Sequence, residues 1–140
     1  MHMPAVNYLA VLVTGTLIFM LGALWYSPLM FTKRWIALQG KTMDQMKMEA
    51  STANMPLMYL SAFISALLIA YVMAAVVPRF APGSWWGGLH VGFFCWLGFA
   101  ATTSYSTYLF SGRSKQLWMI DSGYNLVSFV IAGAILAVWR

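Results

Sequence analysis

The chain has 140 residues, 61% of them hydrophobic and only 8% charged, with a net charge of +5. That leaves too few polar side chains to cover a soluble globule, and collagen-like, disordered and disulfide-rich chains have other compositions. The positive charge is no nucleic-acid signature, because the basic residues fall in short segments between long apolar stretches.

Four such stretches cover residues 5–27, 55–77, 85–110 and 117–139. Crossing a hydrocarbon core about 30 Å thick takes roughly 20 helical residues, and each stretch suffices. The predicted fold is all-α: a single-domain integral membrane four-helix bundle with antiparallel spans and a short amphipathic helix in the first loop.

No Lys or Arg precedes the first stretch, and it exceeds a signal-peptide core of about 7–15 residues, so it reads as a retained membrane helix. Gly15 and Gly22 share one face and allow close helix contact. Trp25-Tyr26-Ser27 before Pro28 marks a membrane interface where the helix bends or stops.

The first loop mixes basic and aromatic groups from Phe31 to Ile36, which suits a headgroup surface. Thr42 and Gln45 have the spacing of a capping box, predicting an interfacial helix over residues 42–53. Met43, Met46 and Met48 resemble a soft thioether site for Cu(I), and Met1-His2-Met3 is a second soft cluster. A flexible lipid-facing methionine stripe is the favoured reading, so no metal or cofactor is expected.

Pro56 suits the first turn of the second span, and Pro78 is expected to end it. Ala62, Ala66, Ala70 and Ala74 form an i+4 ridge, a predicted helix-contact face. In the third span Gly88 and Gly92 make a GxxxG pair around His90, which reads as a packing residue rather than a metal ligand. Cys95, the single cysteine, reads as small apolar packing. The far half of this span carries Thr102, Thr103 and Ser106.

The fourth span starts near Gln116, and Asp121 lies about one turn inside it with Asn125 one turn deeper. Gly133 and Ala137 make another small-residue pair. An ionisable group within a span needs a partner or water, so Asp121 is the sharpest candidate. Pairing with Lys115 or Arg113 would make it a loop anchor. Sharing a vestibule with Tyr26, Ser27, Thr102, Thr103, Ser106 and Asn125 would make it part of a polar site.

Lys33, Arg34, Lys41 and Lys47 in the first loop, with Arg113 and Lys115 in the third, outnumber Arg79 and Arg140 on the other side. The positive-inside bias puts both termini outside the cytoplasm, in a membrane of the bacterial inner-membrane type.

Several motifs run in order along the chain. They are Trp25-Tyr26-Ser27-Pro28-Leu29 with Phe31, Gly40-Lys41-Thr42 leading to Met46, and Met55-Pro56 with Tyr59. Ala70-Tyr71-Val72-Met73-Ala74, Trp96-Leu97-Gly98-Phe99, Gly123-Tyr124 and Gly133-Ala134-Ile135-Leu136 follow. Together they resemble the membrane family called "domain of unknown function 1761". Members often carry an acid just before the third-loop arginine, where this chain has Ser111-Gly112-Arg113. The resemblance implies a four-helix membrane protein and brings no established activity or catalytic residue.

Gly40-Lys41-Thr42 is no P-loop, because Trp35 occupies the position of the required glycine. Two histidines, three acids and one cysteine are too few for most catalytic constellations. Small multidrug antiporters share only the four-helix plan, since no acid lies in the first span. The leading expectation is a non-enzymatic membrane subunit, a homo-oligomer or part of a larger membrane complex, with the lipid bilayer as its surroundings and no nucleic-acid partner. The alternative is a small channel or transporter with a polar path near Asp121; a membrane enzyme would need a bound cofactor.

Overall fold

The computed structural model describes residues 5–139, and these are helical wherever they have regular structure. The soft cluster Met1-His2-Met3 and the terminal Arg140 lie outside the described residues. Helices α1 (Tyr8–Trp25), α4 (Met55–Phe80) and α7 (Lys115–Val138) are each long and apolar enough to cross a membrane. Between them lie α2 (Thr32–Leu38), α3 (Met43–Thr52), α5 (Trp85–Cys95) and α6 (Thr102–Phe110). A π-helical segment, Trp96–Ala101, joins α5 to α6 without a break.

Side-chain caps explain most helix starts. Asn7, Asn54, Ser84 and Ser114 each accept a bond from a first-turn backbone N–H, one of the donors that a helix start leaves without a partner. The expected capping box is present at α3: Thr42 Oγ1 accepts from Gln45 N at 3.2 Å, and Gln45 Oε1 accepts from Thr42 N at 2.9 Å. One expectation fails at Pro78. It lies inside α4, which continues to Phe80 and closes with Ala81 N donating to Val77 O at 2.9 Å. So near the C-terminus, the missing proline N–H removes a single bond, and the last turn tolerates it.

The core is built from small residues. Ala10, Ala66, Ala70, Ala132 and Ala137 are buried together with Ile18, Met73, Val77 and Leu136. Without a hydrophobic driving force between helices in lipid, association depends on such close packing. A Cβ on Gly88 would fall on the Gly133 carbonyl oxygen, and one on Gly92 would fall on the Phe129 carbonyl oxygen. The GxxxG pair is therefore a backbone-to-backbone crossing of α5 and α7, with Gly133 as its counterpart. Gly15 faces Leu67, whose Cδ2 is 2.6 Å from a Cβ built there, and Gly22 faces Tyr124. The alanine ridge divides: Ala66, Ala70 and Ala74 are buried, whereas Ala62 is exposed. On the first turns of α4, Tyr59 and Phe63 pack edge-on against Phe19 of α1, whereas the face that carries Ala62 is exposed, so the contact expected there is not made among the described residues.

Candidate functional site

The site is assembled where the end of α1 meets the start of α7. Trp25 packs its indole on Gly123, where a side chain would crowd it at 3.1 Å, and donates to the Ile120 carbonyl at 2.9 Å. That contact brings Tyr26 alongside the next residue of α7. The Tyr26 hydroxyl donates to Asp121 Oδ1 at 2.6 Å. The chain then turns through Pro28, with the Thr32 hydroxyl bonded to the Tyr26 carbonyl, and enters α2. There the Trp35 indole donates to Asp121 Oδ1 at 3.2 Å, and its ring packs against Tyr26 with centroids 5.2 Å apart. Tyr108 of α6 donates to Asp121 Oδ2.

Asp121 is thus held by three neutral donors from three elements. The ion pair with Lys115 or Arg113 does not form; among the described residues the salt bridge present joins Lys41 to Glu49 at 2.9 Å. A carboxylate accepts only, and hydrogen bonds to an ionised group are the stronger kind. The carboxylate therefore clamps the first loop, α6 and α7 together.

Arg113 reaches the same cluster by another route. Gly112 adopts φ +72°, and the turn returns Arg113 N to the Tyr108 carbonyl at 3.0 Å. Its guanidinium lies 5.2 Å from the centroid of the Tyr108 ring, a cation–π distance. A cavity of about 380 Å³ opens beside these residues, with Trp35, Lys41, Tyr108, Arg113, Ser114 and Asp121 in its wall.

The other expected members of the site fall elsewhere. Ser27 donates to the Leu24 carbonyl. Thr102, Thr103 and Ser106 are exposed and bond to carbonyls of their own helix, at Gly98, Phe99 and Thr102. Asn125 is half-buried one turn along α7. Trp35 and Tyr108 were not expected as partners. Tyr108 lies in the hydroxyl-rich half of the third apolar stretch, and α2 is too short to show a period.

Two further side chains are accounted for locally. His90 is exposed, with Nδ1 2.8 Å from the Trp86 carbonyl. Cys95 is half-buried and helps line an apolar cleft of about 440 Å³ with Met73, Phe99 and Phe129. Among the described residues, no three His, Cys, Asp or Glu side chains gather into a metal-binding group.

An all-helical chain with three helices able to cross a membrane defines the class, a small helical membrane protein. The particular family follows from comparison. The model of a family described as "Protein of unknown function (DUF1761)" matches residues 9–137, and the chain belongs to that family. No curated protein and no solved structure matches it.

Proposed function

We propose that this protein is a non-enzymatic, four-span membrane subunit that associates with a second copy or a larger membrane complex. A fourth crossing is supported by contacts between distant loops. Trp35 of the first loop reaches Asp121, and Arg34 bonds to Gln116. Both ends of that contact belong on the same side of the membrane, which favours two crossings between residues 54 and 114. One crossing is α4. The other is the run α5–π–α6, which is as long as the 26-residue α4 although each piece alone is short. Antiparallel packing is supported by contacts that run in opposite chain directions: Gly15 faces Leu67 while Phe19 meets Phe63 and Tyr59, Gly22 faces Tyr124 while Trp25 reaches Ile120, and Gly88 faces Gly133 while Gly92 faces Phe129.

The observation that carries association is the exposed small-residue face near the start of α4. Ser61, Ala62 and Ser65 are exposed and continue the small-residue face that is buried from Ala66 onward. The hydroxyls of Ser61 and Ser65 bond back to the Leu57 and Ser61 carbonyls, leaving a smooth apolar surface of the kind helices use to approach closely. Cysteine placed at Ala62, with Cys95→Ser, should crosslink copies in native membranes or bring down a partner. Native mass spectrometry in mild detergent giving bare monomers, with no crosslink, would overturn the reading.

The transporter reading draws on the cavity beside Asp121. Solute flux into liposomes that is unchanged by Asp121→Asn, or absent, would remove it.

A further inference from the structure

The cavity beside Asp121 has an unusual charge pattern for its size. Its wall carries one carboxylate, Asp121, and two cations, Lys41 and Arg113. A simple anion placed there meets the carboxylate, and a simple cation meets the two basic groups. Opposite charges a short distance apart suit a ligand that carries both.

Each group retains binding capacity. Asp121 Oδ1 accepts from Tyr26 and Trp35, but Oδ2 accepts from Tyr108 alone and has room for another donor. Arg113 makes no salt bridge among the described residues, and its guanidinium rests on the Tyr108 ring. Lys41 is paired with Glu49, but the two side chains are 36% and 56% exposed, and water competes effectively for so exposed a pair. Tyr108 spans the two ends: its hydroxyl touches the carboxylate, and its ring face carries the guanidinium.

We propose that this cavity binds a zwitterion in which a primary ammonium is linked to a phosphate, with the ammonium on Asp121 and the phosphate between Arg113 and Lys41. Phosphate is favoured over carboxylate because two cationic groups face it, and its additional oxygens can satisfy both the guanidinium fork and the ammonium of Lys41. A primary ammonium is favoured over a quaternary one because Oδ2 calls for an N–H donor. The ligand is either the headgroup of an aminophospholipid, a phosphodiester, or the free amino-alcohol phosphate, a monoester; both present a primary ammonium linked to a phosphate. The site lies within one copy, so it stands whether or not copies associate.

The test uses the full chain in maltoside micelles, titrated calorimetrically with short-chain phosphatidylethanolamine, phosphatidylcholine, phosphatidylglycerol and free phosphoethanolamine. The ethanolamine lipid should bind on the order of tenfold more tightly than the choline and glycerol lipids. Arg113→Gln should weaken it on the order of tenfold, while Lys33→Gln, outside the cavity, should not. Asp121→Asn should abolish the preference over choline. Arg113 is exposed, so its variant keeps the test open if Asp121→Asn fails to fold. Free phosphoethanolamine binding as tightly as the lipid would assign a soluble ligand, and lipid-only binding would assign a headgroup; both sustain the site. Failure of every compound to bind, or equal binding of all three lipids, would overturn it.

Discussion

Asp121 shows how one residue can be prominent in a sequence while its partners stay hidden. A carboxylate inside an apolar stretch announces itself, and Tyr26 could be placed near it from the topology alone. Trp35 could not, because a seven-residue helix carries too little pattern to orient its indole. The hydroxyl-rich stretch misled for a physical reason. Ser and Thr within a helix readily bond to the carbonyl four residues back, so Thr103 and Ser106 are satisfied locally and need no shared vestibule. The clamp therefore predicts opposite outcomes for two hydroxyl deletions. Tyr26→Phe removes a donor to a carboxylate and should destabilise the fold by about 1–2 kcal/mol in detergent unfolding followed by circular dichroism. Thr103→Val should change stability by less than about 0.5 kcal/mol. Equal effects would mean that Asp121 does not hold the three elements together.

At the scale of elements, small residues lie where the helices approach most closely, because close approach in lipid leaves few alternatives. Gly88, Gly92 and Gly133 meet at one crossing, and three of the four ridge alanines are buried. What periodicity could not show is the π-helical segment, since it preserves the apolar run and changes only the backbone bonding. Gly98 sits in that segment with open space where a Cβ would be, in contrast to Gly88. Ala for Gly in a helix ordinarily stabilises by roughly 0.5–1 kcal/mol. Gly98→Ala should follow that rule and raise the melting temperature slightly. Gly88→Ala should reverse it, because overpacking costs about 1–3 kcal/mol and the atom met is backbone. A gain at both positions would show that α5 and α7 do not cross in contact. The capping box offers a local counterpart. Thr42→Ala should cost about 1 kcal/mol in α3 alone. Hydrogen exchange should then quicken for residues 43–52 while α7 amides keep their protection.

For the whole molecule, the decisive question is how many times the chain crosses the membrane. Three helices qualify singly, and the fourth crossing depends on reading α5, the π-helical segment and α6 as one span. Charge and contact support the same answer independently. Lys33 and Arg34 lie on α2, Lys41 between α2 and α3, and Lys47 on α3, whereas Arg113 is in the α6–α7 turn and Lys115 opens α7. The proposed four crossings would put all six on one side, which the positive-inside rule would place in the cytoplasm. The Trp35–Asp121 and Arg34–Gln116 contacts require the same juxtaposition without reference to charge. Single cysteines at Met48, Ser111 and Pro82, all exposed, on a Cys95→Ser background convert this into a labelling experiment. An impermeant maleimide applied to intact cells should reach Pro82→Cys and spare the other two; inverted membrane vesicles should give the opposite pattern. If only α1, α4 and α7 crossed, Ser111→Cys would label together with Pro82→Cys, and Asp121 would sit across the bilayer from the tryptophan that donates to it. Labelling of all three from outside would instead mean that the charge asymmetry does not orient this chain.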